Sequence, residues 1–108
     1  MSETVAEYSD AVAKAMSEKE LLQNVLDMAR SLGWRCYHVF DSRRSEPGWP
    51  DIIACRRGRV LAIETKTERG RLTEAQEDWI LELSVSGIEC HVWRPRHWLS
   101  GDVERVLR

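Results

Sequence analysis

The chain lacks a long apolar run. None approaches the roughly 20 residues that a membrane-crossing helix needs, and the first residues carry acids where a secretory leader has a basic patch and an apolar core. A cytoplasmic protein with no membrane partner is therefore expected. Cysteine is scarce: Cys36, Cys55 and Cys90 form no C-x-x-C pair, which excludes a disulfide framework and a zinc ribbon and predicts reduced, buried thiols. Repeats, low-complexity tracts and Gly/Ser-rich linkers are missing too, so the 108 residues read as consecutive elements of one domain. There is no excess of positive charge either. The 16 basic and 18 acidic residues leave a net charge of −2, an average that alone predicts no affinity for nucleic acid.

What charge there is lies segregated along the chain. Residues 1–27 hold 2 bases and 6 acids, 28–71 hold 10 bases and 5 acids, 72–92 hold 5 acids and no base, and 93–108 hold 4 bases and 2 acids. Arginine supplies 13 of the 16 bases, most of them between Arg30 and Arg71, and its planar fork suits phosphate oxygens. A local phosphate-binding face is compatible with the acidic total. A solvated surface that only keeps the protein soluble is the alternative, and composition alone favours it.

Apolar spacing locates the elements. Val5, Tyr8, Val12 and Met16 recur at helical intervals, which allows a short amphipathic helix over residues 1–16 or a frayed arm. From Ser17 to Leu32 the pattern is helical, with Glu18, Leu21, Leu22, Val25, Met28, Ala29 and Leu32 on one stripe; Ser17 and Glu20 fit a capping box, and Gly33 ends the helix. Trp34–Phe40 reads as a strand and Asp41–Pro50 as an exposed loop. Residues 51–55 and 60–64 are short apolar runs around Arg56-Arg57-Gly58-Arg59, hence a hairpin, and their mostly unbroken hydrophobicity predicts strands covered on both faces. A helix over about 73–86 presents Gln76, Trp79, Ile80 and Leu83 on one stripe, a strand covers 88–93, and residues 99–108 form a tail with a potential helix around 102–107. The fold class is α/β, a sheet flanked by helices.

Two charged strand ends stand out. The second strand opens with Asp51 and the third closes with Glu64-Thr65-Lys66. Alternation sends Glu64 and Lys66 one way and Thr65 the other, and the hairpin sets Asp51 beside Glu64. Adjoining carboxylates repel unless a proton or a cation lies between them. Magnesium suits two carboxylates, a main-chain carbonyl from Thr65, waters and phosphate oxygens, and such an ion with Lys66 nearby is equipped to hydrolyse a phosphodiester. The bland alternative is a Glu64–Lys66 surface ion pair with Asp51 capping a turn.

These residues carry a resemblance. The sequence resembles the PD-(D/E)XK nuclease superfamily, and within it the virus-type replication-repair nuclease (VRR-NUC) domain in its small stand-alone form. The likeness spans residues 17–98, through Glu18, Gly33-Trp34, Tyr37-His38, Ser42-Arg43-Arg44-Ser45, Gly48-Trp49-Pro50-Asp51, Ile63-Glu64-Thr65-Lys66, Gly70-Arg71-Leu72-Thr73, Gln76 with Trp79, and Val92-Trp93-Arg94-Pro95. It implies a restriction-endonuclease-like αβββαβ core with a central mixed sheet. It also implies Mg2+ or Mn2+ on Asp51 and Glu64, Lys66 as the catalytic lysine and Gln76 in support. Polar Thr65 departs from the usual apolar residue, and because its side chain faces away from the ion this bears on packing more than on chemistry.

The resemblance further implies a first-helix glutamate at the metal. Glu18 lies on the stripe facing the sheet, whereas Glu20 lies on the wet side with a capping role open to it; both stay candidates, with Glu18 preferred. Thr73-x-x-Gln76 is itself a capping box, and one side chain is not expected to serve fully both there and at the metal. His38 reads as a core histidine that the resemblance raises to a phosphate or metal-water contact. Ser42, Arg43, Arg44, Arg69 and Arg71 are candidates for DNA backbone contact, with solvated charge as their alternative, and Trp49 either stacks on a base or packs against the hairpin. The expected activity is a metal-dependent endonuclease acting on branched DNA, resembling a Holliday junction resolvase and working as a homodimer through the apolar residues of the amino-terminal arm and carboxyl tail, with no organic cofactor. The alternatives are a flap or nicking nuclease of phage or repair type, and a DNA-binding module without catalysis.

Overall fold

The computed structural model describes residues 4–108, the side chain of Ser42 excepted. Helix α1 (Val5–Ala15) starts at a capping box in which the Thr4 hydroxyl accepts from the Glu7 amide and the Glu7 carboxylate accepts from the Thr4 amide. The amino-terminal segment is thus a helix rather than an arm, but its buried residue is Ala13, while Val5 and Tyr8 of the expected stripe face solvent.

Helix α2 (Glu18–Ser31) buries Leu21, Val25, Leu26 and Ala29, each large side chain contributing about 1.5–3 kcal/mol. The Ser17 hydroxyl accepts from the Glu20 amide at 3.0 Å; among the described residues the Glu20 carboxylate returns no bond, so the predicted capping box is half formed.

Strand β1 (Arg35–His38) is shorter at both ends than its sequence pattern. Trp34 is buried, and its indole donates to the Leu107 carbonyl at 2.8 Å. After a 3-10 turn (Ser42–Arg44), strands β2 (Ile52–Arg56) and β3 (Arg59–Thr65) form an antiparallel hairpin. Its two turn residues, Arg57 and Gly58, both have positive φ (49° and 83°), the twist that matches a two-residue hairpin.

Helix α3 (Glu74–Val85) crosses over to β4 (Glu89–Trp93), which pairs parallel to β3, giving the order β1-β2-β3-β4. The short helices α4 (Pro95–Leu99) and α5 (Asp102–Leu107) complete the chain. The result is a mixed α/β fold with a four-stranded mixed sheet flanked by helices, compatible with a restriction-endonuclease-like core. Among the described residues no helix is long and apolar enough to cross a membrane.

The two faces of the sheet differ. One packs Ile52, Ala54, Leu61, Ile63 and Trp93 against α2 and the fully buried Val103 and Leu107 of α5. The carboxyl tail therefore spends Val103 and Leu107 on its own core, while its Leu99 stays exposed. On the other face lies α3, whose Gln76, Trp79, Ile80 and Leu83 form the foreseen stripe but are only half-buried. Hence β3 is buried over five successive residues, while β2 alternates and leaves Cys55 exposed, contrary to the expectation of strands covered on both faces and of buried thiols.

Candidate active site

Three elements meet at the carboxyl end of β3. The hairpin register pairs Ile52 with Ile63, so Asp51 and Glu64 extend the pairing by one step, and α2 lays its first residue, Glu18, over the same end. One carboxylate oxygen from each of Glu18, Asp51 and Glu64 lies within 4.8 Å of the others. They line a cavity of about 330 Å3 together with Phe40, Ser45, Glu46, Gly48, Trp49 and Gln76 among others. Gly48 has φ +85° and sits so close to α3 that a Cβ would overlap the Ala75 carbonyl and come within 2.6 Å of the Gln76 amide nitrogen. Glycine there lets the cavity wall close on the start of α3.

Glu64 is 2% exposed, and its Oε2 is buried with no hydrogen-bond partner. Burial, followed by the charge of Asp51, pushes its carboxyl up to about 9, and Lys66 opposes the shift. Burial and then Asp51 also raise Glu18, against the same Lys66 charge. Among the described residues Lys66 makes no ion pair within 4.0 Å, so the surface pair with Glu64 does not form. An orphaned carboxylate oxygen is costly, and a proton or a cation at the cluster offsets the cost.

Neighbours hold the acids in place. Asp51 Oδ2 accepts from both the Thr65 amide and the Thr65 hydroxyl, each at 2.8 Å. The Thr65 side chain therefore supports the site through Asp51. Gln76 serves two partners: Oε1 accepts from the Thr73 amide at 2.9 Å, and Nε2 donates to Glu64 Oε1 at 3.2 Å. The expected conflict between cap and site disappears because the amide has two chemically different ends. Arg94 fixes the loop beyond Lys66, its Nη1 donating to the carbonyls of Thr67 at 2.8 Å and Gly70 at 2.6 Å.

A family model described as the VRR-NUC domain matches residues 4–96. The chain belongs to the VRR-NUC domain family. The family is one of nucleases, which makes this chain a hydrolase with DNA as its substrate. No curated protein and no solved structure matches the chain.

VRR-NUC nucleases typically use a divalent metal, and the side chains present fit one. Three carboxylates converge, one of their oxygens is buried and unpartnered, and all the candidate donors are hard oxygens. Glu20 lies outside this acidic cluster.

The candidate DNA contacts of this VRR-NUC domain are dispersed. Arg43 and Arg44 are exposed on the 3-10 turn, each paired with Asp41, at 3.1 and 3.7 Å. Arg69 and Arg71 are exposed on the loop after Lys66. His38 lies outside the acidic cluster, its ring 4.2 Å from that of Phe40, and the side chain of Ser42 lies outside the described residues. Trp49 packs edge-on against Trp79 of α3, with centroids 4.9 Å apart.

Phe40, Glu46 and Arg94 were missed as site features by the sequence reading. Phe40 looked like the end of a strand and Glu46 like loop charge, and Arg94 binds carbonyls, which leave no trace in side-chain spacing.

Proposed function

We propose that this protein is a Mg2+- or Mn2+-dependent endodeoxyribonuclease that cuts branched DNA, with four-way junctions as its substrate and a homodimer as its working form. The observation that carries the metal is the meeting of Glu18, Asp51 and Glu64 around an oxygen with no partner. Glu18, Asp51 and Glu64 would hold the ion, joined by the Thr65 carbonyl. When bound, the ion supplies a bound water of lowered pKa and neutralises charge developing on the phosphodiester.

The chain's own groups do the rest. Thr65 keeps Asp51 aimed by two hydrogen bonds, and Gln76 fixes one oxygen of Glu64 and leaves the other to the cavity. Lys66 orients the attacking water and places positive charge beside the phosphate. Water adds to phosphorus, one P–O ester bond breaks, and the departing oxygen takes up a proton. Arg43, Arg44, Arg69 and Arg71 hold the DNA backbone, with His38 and Ser42 as further contacts. A two-fold junction requires two symmetric cuts and each chain supplies one site, which is the reason for proposing a dimer. The free cysteines suit a reducing cytosol.

The test is cleavage of four-way, flap, duplex and single-stranded DNA with Mg2+ or Mn2+, comparing wild type with Asp51→Asn. The proposal expects paired cuts in the four-way junction, lost in the variant. Cleavage of flaps alone would replace the junction reading with the flap nuclease, and junction binding without cutting under either ion would replace catalysis with binding.

A further inference from the structure

Most aromatic rings of this protein are committed to internal contacts. Trp34 is buried with Arg56 and Arg59 over its ring, Trp49 abuts Trp79, Trp93 stacks on His91, and Trp98 packs against the core. Tyr8 and Tyr37 are exposed, and neither lines the acidic cavity. Phe40 differs from all of them. It is 89% exposed, yet it forms part of the wall of the cavity that holds Glu18, Asp51 and Glu64. Its ring is inclined at 49° to that of His38, with centroids 4.2 Å apart, so it has support on one side and solvent elsewhere. An exposed phenyl gains little from folding, and packing gives no reason for an aromatic residue here. The next residues lead into the turn bearing Arg43 and Arg44, both exposed. A free ring beside guanidinium groups is the usual combination for holding unpaired nucleotides: the ring takes a base and the cations take the backbone.

We infer that Phe40 is a base-stacking residue, receiving the nucleobase that adjoins the phosphate in the cavity and so favouring DNA whose bases are unpaired or easily unstacked at the cut. The inference rests on the nuclease reading and adds a determinant of substrate choice to it. Stacking on one side chain corresponds to about a 5- to 160-fold effect.

The experiment is a cycle between protein and substrate. Wild type, Phe40→Ala, Phe40→Leu and Phe40→Trp are compared on the best-cut DNA and on versions carrying one abasic residue at each position flanking the mapped cut, with oligomeric state checked by light scattering. Phe40→Ala and Phe40→Leu are expected to cut the intact substrate about 5- to 160-fold more slowly, and Phe40→Trp to restore it. At one abasic position wild type is expected to fall to the level of Phe40→Ala, with no further loss when both changes are combined. Equal losses on intact and all abasic substrates, no loss in Phe40→Ala, or a change of oligomeric state that accounts for the loss would overturn the stacking role while leaving the nuclease reading in place. A wild type that cuts nothing defeats the nuclease reading and this inference with it.

Discussion

Asp51 is held by Thr65. One oxygen of the carboxylate, Oδ2, takes both the amide and the hydroxyl hydrogen of Thr65, at 2.8 Å each. The side chain that faces away from Glu64 on the strand thus sets the direction of the acid beside it. Thr65→Val keeps the shape and removes the hydroxyl. Partners of this kind are worth about 10- to 100-fold in metal affinity or activity, so Thr65→Val is expected to weaken Mn2+ binding and slow cleavage in that range, with Thr65→Ser retaining both. Calorimetric titration of Mn2+ checks the binding, and an unchanged affinity in Thr65→Val would show that the hydroxyl does not position Asp51.

Glu64 makes the metal-free protein sensitive to pH in a definite direction. Its carboxyl, ordinarily near 4.5, is pushed up to about 9 in the fold. Between these values the folded state retains a proton that the unfolded chain has released, so stability falls as pH rises through the window. The raised carboxyl of Glu18 acts in the same direction. The melting temperature of metal-free protein is expected to be several degrees lower at about pH 8 than at about pH 6, given about 4–8 °C per kcal/mol for a domain near this size. Glu64→Gln is expected to flatten the dependence. Mg2+ should raise the melting temperature more at the higher pH, because the ligands must lose their protons to bind it. Differential scanning calorimetry across the range reads all three.

Gln76 joins the end of a helix to the acidic cluster, and substitutions separate its two tasks. Gln76→Glu retains an acceptor for the Thr73 amide but loses the donor to Glu64 and adds a further negative charge. Gln76→Ala loses both bonds. Gln76→Ala is expected to cost about 1 kcal/mol through the cap and about 10-fold or more in cleavage. In Gln76→Glu the melting temperature of the metal-free protein should recover at low pH, where the added acid is neutral, and fall at high pH. Thermal melts against pH beside cleavage rates distinguish the two variants, and identical behaviour would show that the bond to Glu64 is without consequence.

Much of this arrangement was legible from residue spacing, because the signals involved are local. The stripe from Leu21 to Ala29, the Arg57-Gly58 turn and the apolar run into Glu64 each reflect one element's own periodicity, and the hairpin alone brings Asp51 to Glu64. What escaped depends on contacts across the fold. Val103 and Leu107 looked like a loose tail because eight residues, 94–101, with the short α4 among them, separate β4 from α5, and their burial requires α2 to be in place. The solvent-facing Val5 and Tyr8 were indistinguishable from a packed stripe for the same reason. Gln76 was misjudged by treating its amide as one group, and Thr65 by following the direction of its Cβ and overlooking its hydroxyl.

Calorimetric titration of Mn2+ into wild type, Glu18→Gln, Glu20→Gln, Asp51→Asn and Glu64→Gln tests most directly whether Glu18, Asp51 and Glu64 together hold a divalent ion. Glu20 offers its backbone amide, not its side chain, to Ser17, so Glu20→Gln is expected to bind the ion and melt as wild type does. The other three are expected to lose binding by about 10-fold or more while remaining folded. Wild-type affinity in Asp51→Asn or Glu64→Gln, or a loss in Glu20→Gln with none in Glu18→Gln, would contradict the account.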